Sequence, residues 1–261
     1  MLLQWLRDAC AAYVFNVAAL YKREGDHDWP LEARDAAELE RQLGDGGHFL
    51  PLPKEPAALA NVLEVSVVDY ILERADATPG IEARRGTERG YPDIEFSGDT
   101  LDGGFYAVDV KVARRHKSGR RTQSRITLYT GNTYFRYPSL HWPGTFRPFQ
   151  DYAQHLDVIC IYDLSPTARA RVANLELIVQ EAWRIGSKQR SSTTREYIGA
   201  VNNLDALREG RGEFASAEDF YRFWRRYNFR IGRTVQLQLD RLLEAAAQRE
   251  RDEAERRLEQ G

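Results

Sequence analysis

Asp109 and Lys111 stand two residues apart in the run FYAVDVKVA (105–113). Side chains at this spacing on a strand share a face, about 7 Å apart. Val108, Val110 and Val112 then point to the other face, toward a core. A rigid strand that buries valines and presents an acid beside an ammonium is a suitable scaffold for chemistry. Asp93 opens the preceding run YPDIEF (91–96), in which Ile94 and Phe96 alternate with Asp93 and Glu95. The composition of SGDTLDGG (97–104) is that of a turn, so the two runs form an antiparallel hairpin that brings the Asp93 carboxylate toward Asp109. Two carboxylates at a strand edge are hard oxygen ligands suited to Mg2+. Such an ion lowers the pKa of a water and neutralises charge on a phosphate. The Lys111 ammonium either stabilises developing charge or orients and helps deprotonate an attacking water. Phosphodiester hydrolysis needs these parts and no covalent intermediate. Taken alone, an Asp and a Lys two apart on a strand are usually a solvated face or an ion pair. The Pro92-Asp93 strand start, with a turn between, is what points to catalysis. Glu95 reads as a solvated strand residue rather than a further ligand.

The elements that must position these groups follow from periodicity. Leu59, Leu63, Val67, Tyr70 and Ile71 recur at helical spacing and predict a helix over about 57–75, after Pro51, Pro53 and Pro56. Glu64 lies at the edge of that buried stripe. Further strands are expected at 125–129, 157–163 and 174–182. The run DVICIY is apolar almost throughout, as for a strand covered on both faces. Helices are expected at 2–22, about 150–155, 216–228 and 234–259, with Ser216 at a helix start and a solvated acidic helix with turns within 24–45. The sum is α/β: a single domain with a mixed β-sheet flanked by helices. Residues 1–233 form the functional domain, and 234–261 a helix charged all round that projects or mediates association.

Composition sets the class. Apolar residues make up 43% and charged residues 29%, which fits a soluble globular chain. The formal charge of −2 gives no hint of nucleic acid. Its distribution does: from Lys111 to Arg147 there are nine cations and no Asp or Glu. Among them Arg114, Arg115 and Lys117 start a phosphate-contact surface beside the reactive strand. Cys10 and Cys160 sit among apolar neighbours and read as core residues in a reducing, cytoplasmic compartment. The apolar N-terminus is broken by Arg7 and Asp8, too early for a signal peptide or membrane span. It reads as an amphipathic helix in a core or a dimer interface.

The pattern Pro92-Asp93, a spacer, then Asp109-Val110-Lys111 resembles the PD…(D/E)xK nuclease superfamily. More specifically, GYPDIEF, AVDVKV, ITLYTGNTYFR, LIVQEAW, a polar loop ending in YIGAV, and GEFASAEDFYRFWRRY are similar, in order, to the EcoRV-like type II restriction endonucleases. These stretches cover most of 57–228. The resemblance implies a restriction-endonuclease-like fold and Mg2+-dependent cleavage of double-stranded DNA at a palindromic site, leaving blunt ends with 5'-phosphates. It places Asp93, Asp109 and Lys111 at the family's metal-binding and catalytic positions. It places Glu64 at that of a helix-borne glutamate, and makes the Val110 carbonyl a further metal ligand. It also implies a homodimer and a cognate DNA methyltransferase in the same system. A nicking repair endonuclease or junction resolvase of the same fold is the alternative.

The same resemblance makes RIGSKQRSSTTREYIG (184–199) a base-reading loop in the major groove. Arg190, Ser192, Thr193, Thr194, Arg195 and Glu196 replace the family's Gly- and Asn-rich tip, so the recognition sequence does not carry over. Arginine pairs bidentately with guanine, which predicts G·C among the outer pairs, read by Arg195 or Arg190. The loop RRGTERGY (84–91) corresponds to a minor-groove segment, where Thr87 and Arg89 make contact.

Overall fold

The structure is a computed structural model that describes residues 1–15, 34–45, 56–87, 90–165 and 171–259. In chain order its first half comprises α1 (Leu2–Ala11), α2 (Ala36–Asp45), α3 (Pro56–Asp76), β1 (Glu82–Arg85), β2 (Ile94–Ser97), β3 (Tyr106–Arg114) and β4 (Thr127–Thr130). The second half comprises β5 (Gln154–Leu164), β6 (Val172–Glu181), β7 (Gly186–Arg190), β8 (Tyr197–Ala200), α4 (Leu204–Glu209), α5 (Ala217–Arg226) and α6 (Arg233–Glu259).

The expected hairpin forms, with Ile94 of β2 opposite Val108 of β3 in antiparallel register. It belongs to a five-stranded mixed sheet of order β1-β2-β3-β5-β6, in which β3 and β5 run parallel and the other neighbours antiparallel. One sheet face carries Ile94, Phe96, Val108, Val110, Leu156, Val158 and Cys160 under α1 and α3. The α3 stripe of Leu59, Leu63, Val67 and Ile71 is fully buried there. Each such side chain contributes roughly 1.5–3 kcal/mol, so packing fixes where α3 holds Glu64. The other face carries Ala107, Ala113, Ile159 and Ile161 beneath Leu128, Ile198, Ala200, Phe220 and Trp224. β5 is therefore covered on both sides, and every residue from 156 to 162 is buried. Cys10 and Cys160 are free and buried, and burial pushes both thiols up to about 12.

A second sheet, β4-β8-β7, stands on the inner face. Sequence periodicity missed β7 and β8, because the segment is polar and its strands are short. What reads as a flexible loop at 184–199 is a hairpin, and Gly131 shows how tightly it is backed. A Cβ there would come within 2.1 Å of the Phe229 ring, and the Gly131 N–H donates to the Glu196 carbonyl at 2.8 Å.

Three further expectations change. The first helix ends at Ala11 rather than at 22. Tyr13 leaves it to stack edge-on with Tyr70, centroids 5.1 Å apart, and to bond Ser66 Oγ at 2.8 Å. Residues 16–22 lie outside the described residues, as do Pro51 and Pro53. The helix expected at 150–155 is a single 3-10 turn, Phe149–Asp151. It stops because Tyr152 turns extended and β5 begins at Gln154. The last helix is not charged all round at its start. Val235, Leu239, Leu242 and Ala246 pack with Leu140 and Trp142. The remaining helix starts hold: Pro56 opens α3, and Ser216 Oγ caps α5 by accepting from the Asp219 N–H at 3.1 Å. No described helix is long and apolar enough to cross a membrane.

Candidate active site

Asp93 lies just ahead of β2, so its carboxylate is free to cross to β3 instead of following the strand. The Val110 N–H donates to Asp93 Oδ2 at 2.7 Å, and the Asp93 N–H donates to Asp109 Oδ1 at 3.1 Å. Lys111 folds back along β3 and donates to Asp109 Oδ2 at 2.6 Å. The three residues singled out by spacing are thus interlocked across the hairpin. Glu64 on α3 lines the same cleft, of about 440 Å³, with Asp93, Lys111, Arg114, Arg125 and Thr127.

The electrostatics show a shortage of positive charge. Burial, and then the charge of Asp109, push Asp93 up to about 7, against the pull of Lys111 and the Val110 N–H. Burial raises Glu64 as well, with Lys111 opposing and Asp109 adding. Burial works against the Lys111 charge, but Asp109, Asp93 and Asp157 outweigh it and hold the ammonium above the ordinary lysine range. One lysine thus faces several carboxyl groups, and a hard divalent cation fits that deficit and those oxygen donors. Among the described residues no three His, Cys, Asp or Glu side chains converge on one point. Asp93 and Asp109 are a carboxylate pair, and Glu64 and Val110 line the cleft beside Asp93.

The other predicted residues divide. Arg114 borders the cleft and Lys117 is exposed on the turn that follows β3. Arg115 is turned away: it pairs with Asp163 at 3.0 Å and Glu176 at 3.6 Å, and its side chain is 11% exposed. In the β7–β8 hairpin Arg190 is held by Glu196 at 2.9 Å and by the Thr193 carbonyl at 3.2 Å. Ser192 Oγ accepts from the N–H groups of Thr194 and Arg195, at 3.2 and 3.1 Å, and so shapes the tip. Thr193, Thr194 and Arg195 are exposed at that tip, Arg195 leaning on the Tyr197 hydroxyl at 3.0 Å. Thr87 is exposed, and Arg89 lies outside the described residues.

Glu95 is not the solvated residue expected. It is 5% exposed and accepts from Arg147 Nε at 2.6 Å, Arg147 Nη2 at 3.1 Å, Tyr152 at 3.0 Å and Arg84 at 2.9 Å. Two features went unseen in the sequence. An aromatic floor lies behind the site, where Tyr134 stacks on Tyr91 at 4.8 Å and the Tyr91 hydroxyl lies 2.6 Å from His155 Nδ1. Burial lowers His155 to about 3. The other is Asp157, in register with Asp109 on the neighbouring strand and 1% exposed. Its signal was a lone acid at the start of an apolar strand.

Comparison with known proteins identifies the family. A family model described as restriction endonuclease EcoRV matches residues 25–244. The type II restriction enzyme EcoRV of Escherichia coli is 20% identical over 211 residues, covering 75% of this chain and 82% of the relative. With most of its length matched, the chain belongs to the EcoRV restriction endonuclease family, and its class is that of a type II site-specific deoxyribonuclease.

Proposed function

From that membership we propose that the protein cleaves both strands of duplex DNA at one palindromic site with Mg2+, leaving blunt ends with 5'-phosphates. The observation that carries the reading is the Asp93–Asp109–Lys111 interlock on the hairpin. Asp93 and Asp109, with the Val110 carbonyl and Glu64, would hold the ion. When bound, the ion supplies Lewis-acid chemistry and neutralises phosphate charge. Lys111 supplies an ammonium to the cleft, where it would meet the phosphate under attack and stabilise its developing charge. Arg114 and Lys117, at and beyond the cleft edge, bind the flanking phosphates. Arg115, committed to Asp163 and Glu176, is left out of that set.

Base reading falls to the β7–β8 hairpin. Arg190 and Glu196 brace it, Ser192 sets its tip, and Thr193, Thr194 and Arg195 face the major groove, with Arg195 on guanine. Thr87 and Arg89 approach the minor groove. A palindrome calls for a symmetric reader, hence an isologous homodimer. Leu2, Leu6 and Cys10 of α1 are buried in this chain's own core, so α1 would bring its exposed face to that dimer. A cognate methyltransferase and a cytoplasmic setting complete the system.

The test is incubation with mixed phage and plasmid DNA in Mg2+ or EDTA, followed by sequencing of fragment ends. Discrete Mg2+-dependent fragments sharing one palindrome at blunt ends are expected. Nicks, smears or no cleavage of unmethylated DNA would overturn the reading.

A further inference from the structure

Asp157 is the acid in this site that the reaction described above does not use. It lies directly beside Asp109 in the parallel pair of β5 and β3, on the same sheet face, about 4.8 Å away by strand spacing. It is buried, and neither of its carboxylate oxygens meets a hydrogen-bond donor among the described residues. A buried carboxyl without a partner is unfavourable, and its strand neighbours Val158 and Ile159 show that apolar side chains pack well there. Burial pushes the Asp157 carboxyl up, and the cation that opposes this is Lys111.

Lys111 has three donor hydrogens, and one of them is on Asp109 Oδ2 at 2.6 Å. An ion held by Asp93 and Asp109 would compete with the ammonium for the negative charge of Asp109. Two cations at that separation also repel. An ammonium displaced from Asp109 needs another acceptor on the same face, one strand away, and Asp157 presents two oxygens there. We propose that Asp157 is the second seat of the Lys111 ammonium, a positioning residue that takes Lys111 up when Asp109 is given over to a metal ion. The inference rests on the reading of Asp93 and Asp109 as the ion-holding pair.

The experiment is Mn2+ binding without DNA, read from the free-ion paramagnetic resonance signal. The proteins are wild type, D93N, D157V, K111A and the K111A/D157V double variant. With no second seat, Lys111 stays on Asp109 and competes with the ion. D157V is therefore expected to weaken Mn2+ binding at least fivefold in the wild-type background and less than twofold in K111A, where there is no ammonium to seat. Single-turnover cleavage in Mg2+ should show a reduced kcat for D157V with an unchanged KM for DNA. D157N keeps the shape and an acceptor oxygen. It should lose less than D157V, and it runs the same cycle if D157V does not fold. Equal weakening in both backgrounds, or none in either, overturns the seat. Wild-type binding that D93N leaves intact overturns the ion-holding pair itself, and the seat with it.

Discussion

Asp93 and Glu95 are two residues apart at the head of one strand, both alternating with buried Ile94 and Phe96, yet they live in opposite surroundings. Glu95 has a donor for every direction: Arg147 twice, Arg84 and Tyr152. Burial works against its charge, but those hydrogen bonds win and hold it below the ordinary carboxylate range. Asp93 has, among the described residues, only the Val110 N–H, and burial followed by the charge of Asp109 pushes its pKa up to about 7 against that bond. Glu95 is satisfied and staples β2 to the segment before β5. Asp93 is left short of positive charge. That shortage is what an ion-binding site requires, because a carboxylate already saturated by arginines has no lone pairs to give.

The largest effect that would sharpen this contrast is on cleavage. D93N and D109N are each expected to lower the cleavage rate at least ~10²–10³-fold, the loss typical of one pre-organised charge-stabilising group, without lowering the melting temperature. Plasmid cleavage followed by gel, beside circular dichroism, checks both halves. A D93N protein that cuts at the wild-type rate would break the comparison at its functional end. Next in size is E95A. Removing one partner from a buried ion pair leaves Arg147 uncompensated and is expected to destabilise by about 3–5 kcal/mol. Urea unfolding measures it, and a change under 1 kcal/mol would mean the arginines find other acceptors.

A smaller effect follows from pH in EDTA. The Asp93 pKa is raised from an unfolded value of ~3.9 to about 7, so the folded state binds its proton more tightly. Its contribution to stability is present below pH ~4 and is lost as pH rises through 7. Glu95 has the reverse sign: its lowered pKa gives stability above pH ~4 that is lost on acidification. D93N should therefore gain stability relative to wild type between pH 5 and pH 8, as read by melting temperature. A constant difference across that window would show that Asp93 is ionised throughout.

The Asp-Val-Lys face was legible because a strand's period of two is rigid: burying Val108 and Val110 leaves Asp109 and Lys111 no other side to occupy. The α3 stripe and the doubly covered β5 were legible for the same reason. Glu95 was not, because its partners come from Arg84, Arg147 and Tyr152, up to 57 residues away, and no local pattern reports them. Asp157 hid behind the apolar run it opens, since only the register of β5 against β3 brings it beside Asp109. The helix drawn to 22 failed where Tyr13 found tertiary partners on α3. Residue type and period thus revealed the chemistry within a strand, while the pairing between strands decided which acid is braced and which is reactive.

The same division recurs in the β7–β8 hairpin and yields the smallest effect. Arg190, like Glu95, is consumed by the fold: Glu196 binds it at 2.9 Å and in turn accepts the Arg230 N–H at 3.2 Å. Arg195, like Asp93, is left available, exposed at the tip with a neutral hydroxyl beside it. R195A should therefore relax discrimination at one base pair by roughly 1 kcal/mol, the low end for a lost base contact, with binding to non-specific DNA little changed. R190A should instead loosen the hairpin and reduce discrimination across the whole site, because Glu196 loses the cation that holds it. Selection of cleaved sites from a randomised library separates the two. A single relaxed position in R190A and uniform loss in R195A would exchange their roles and make Arg190 the reader.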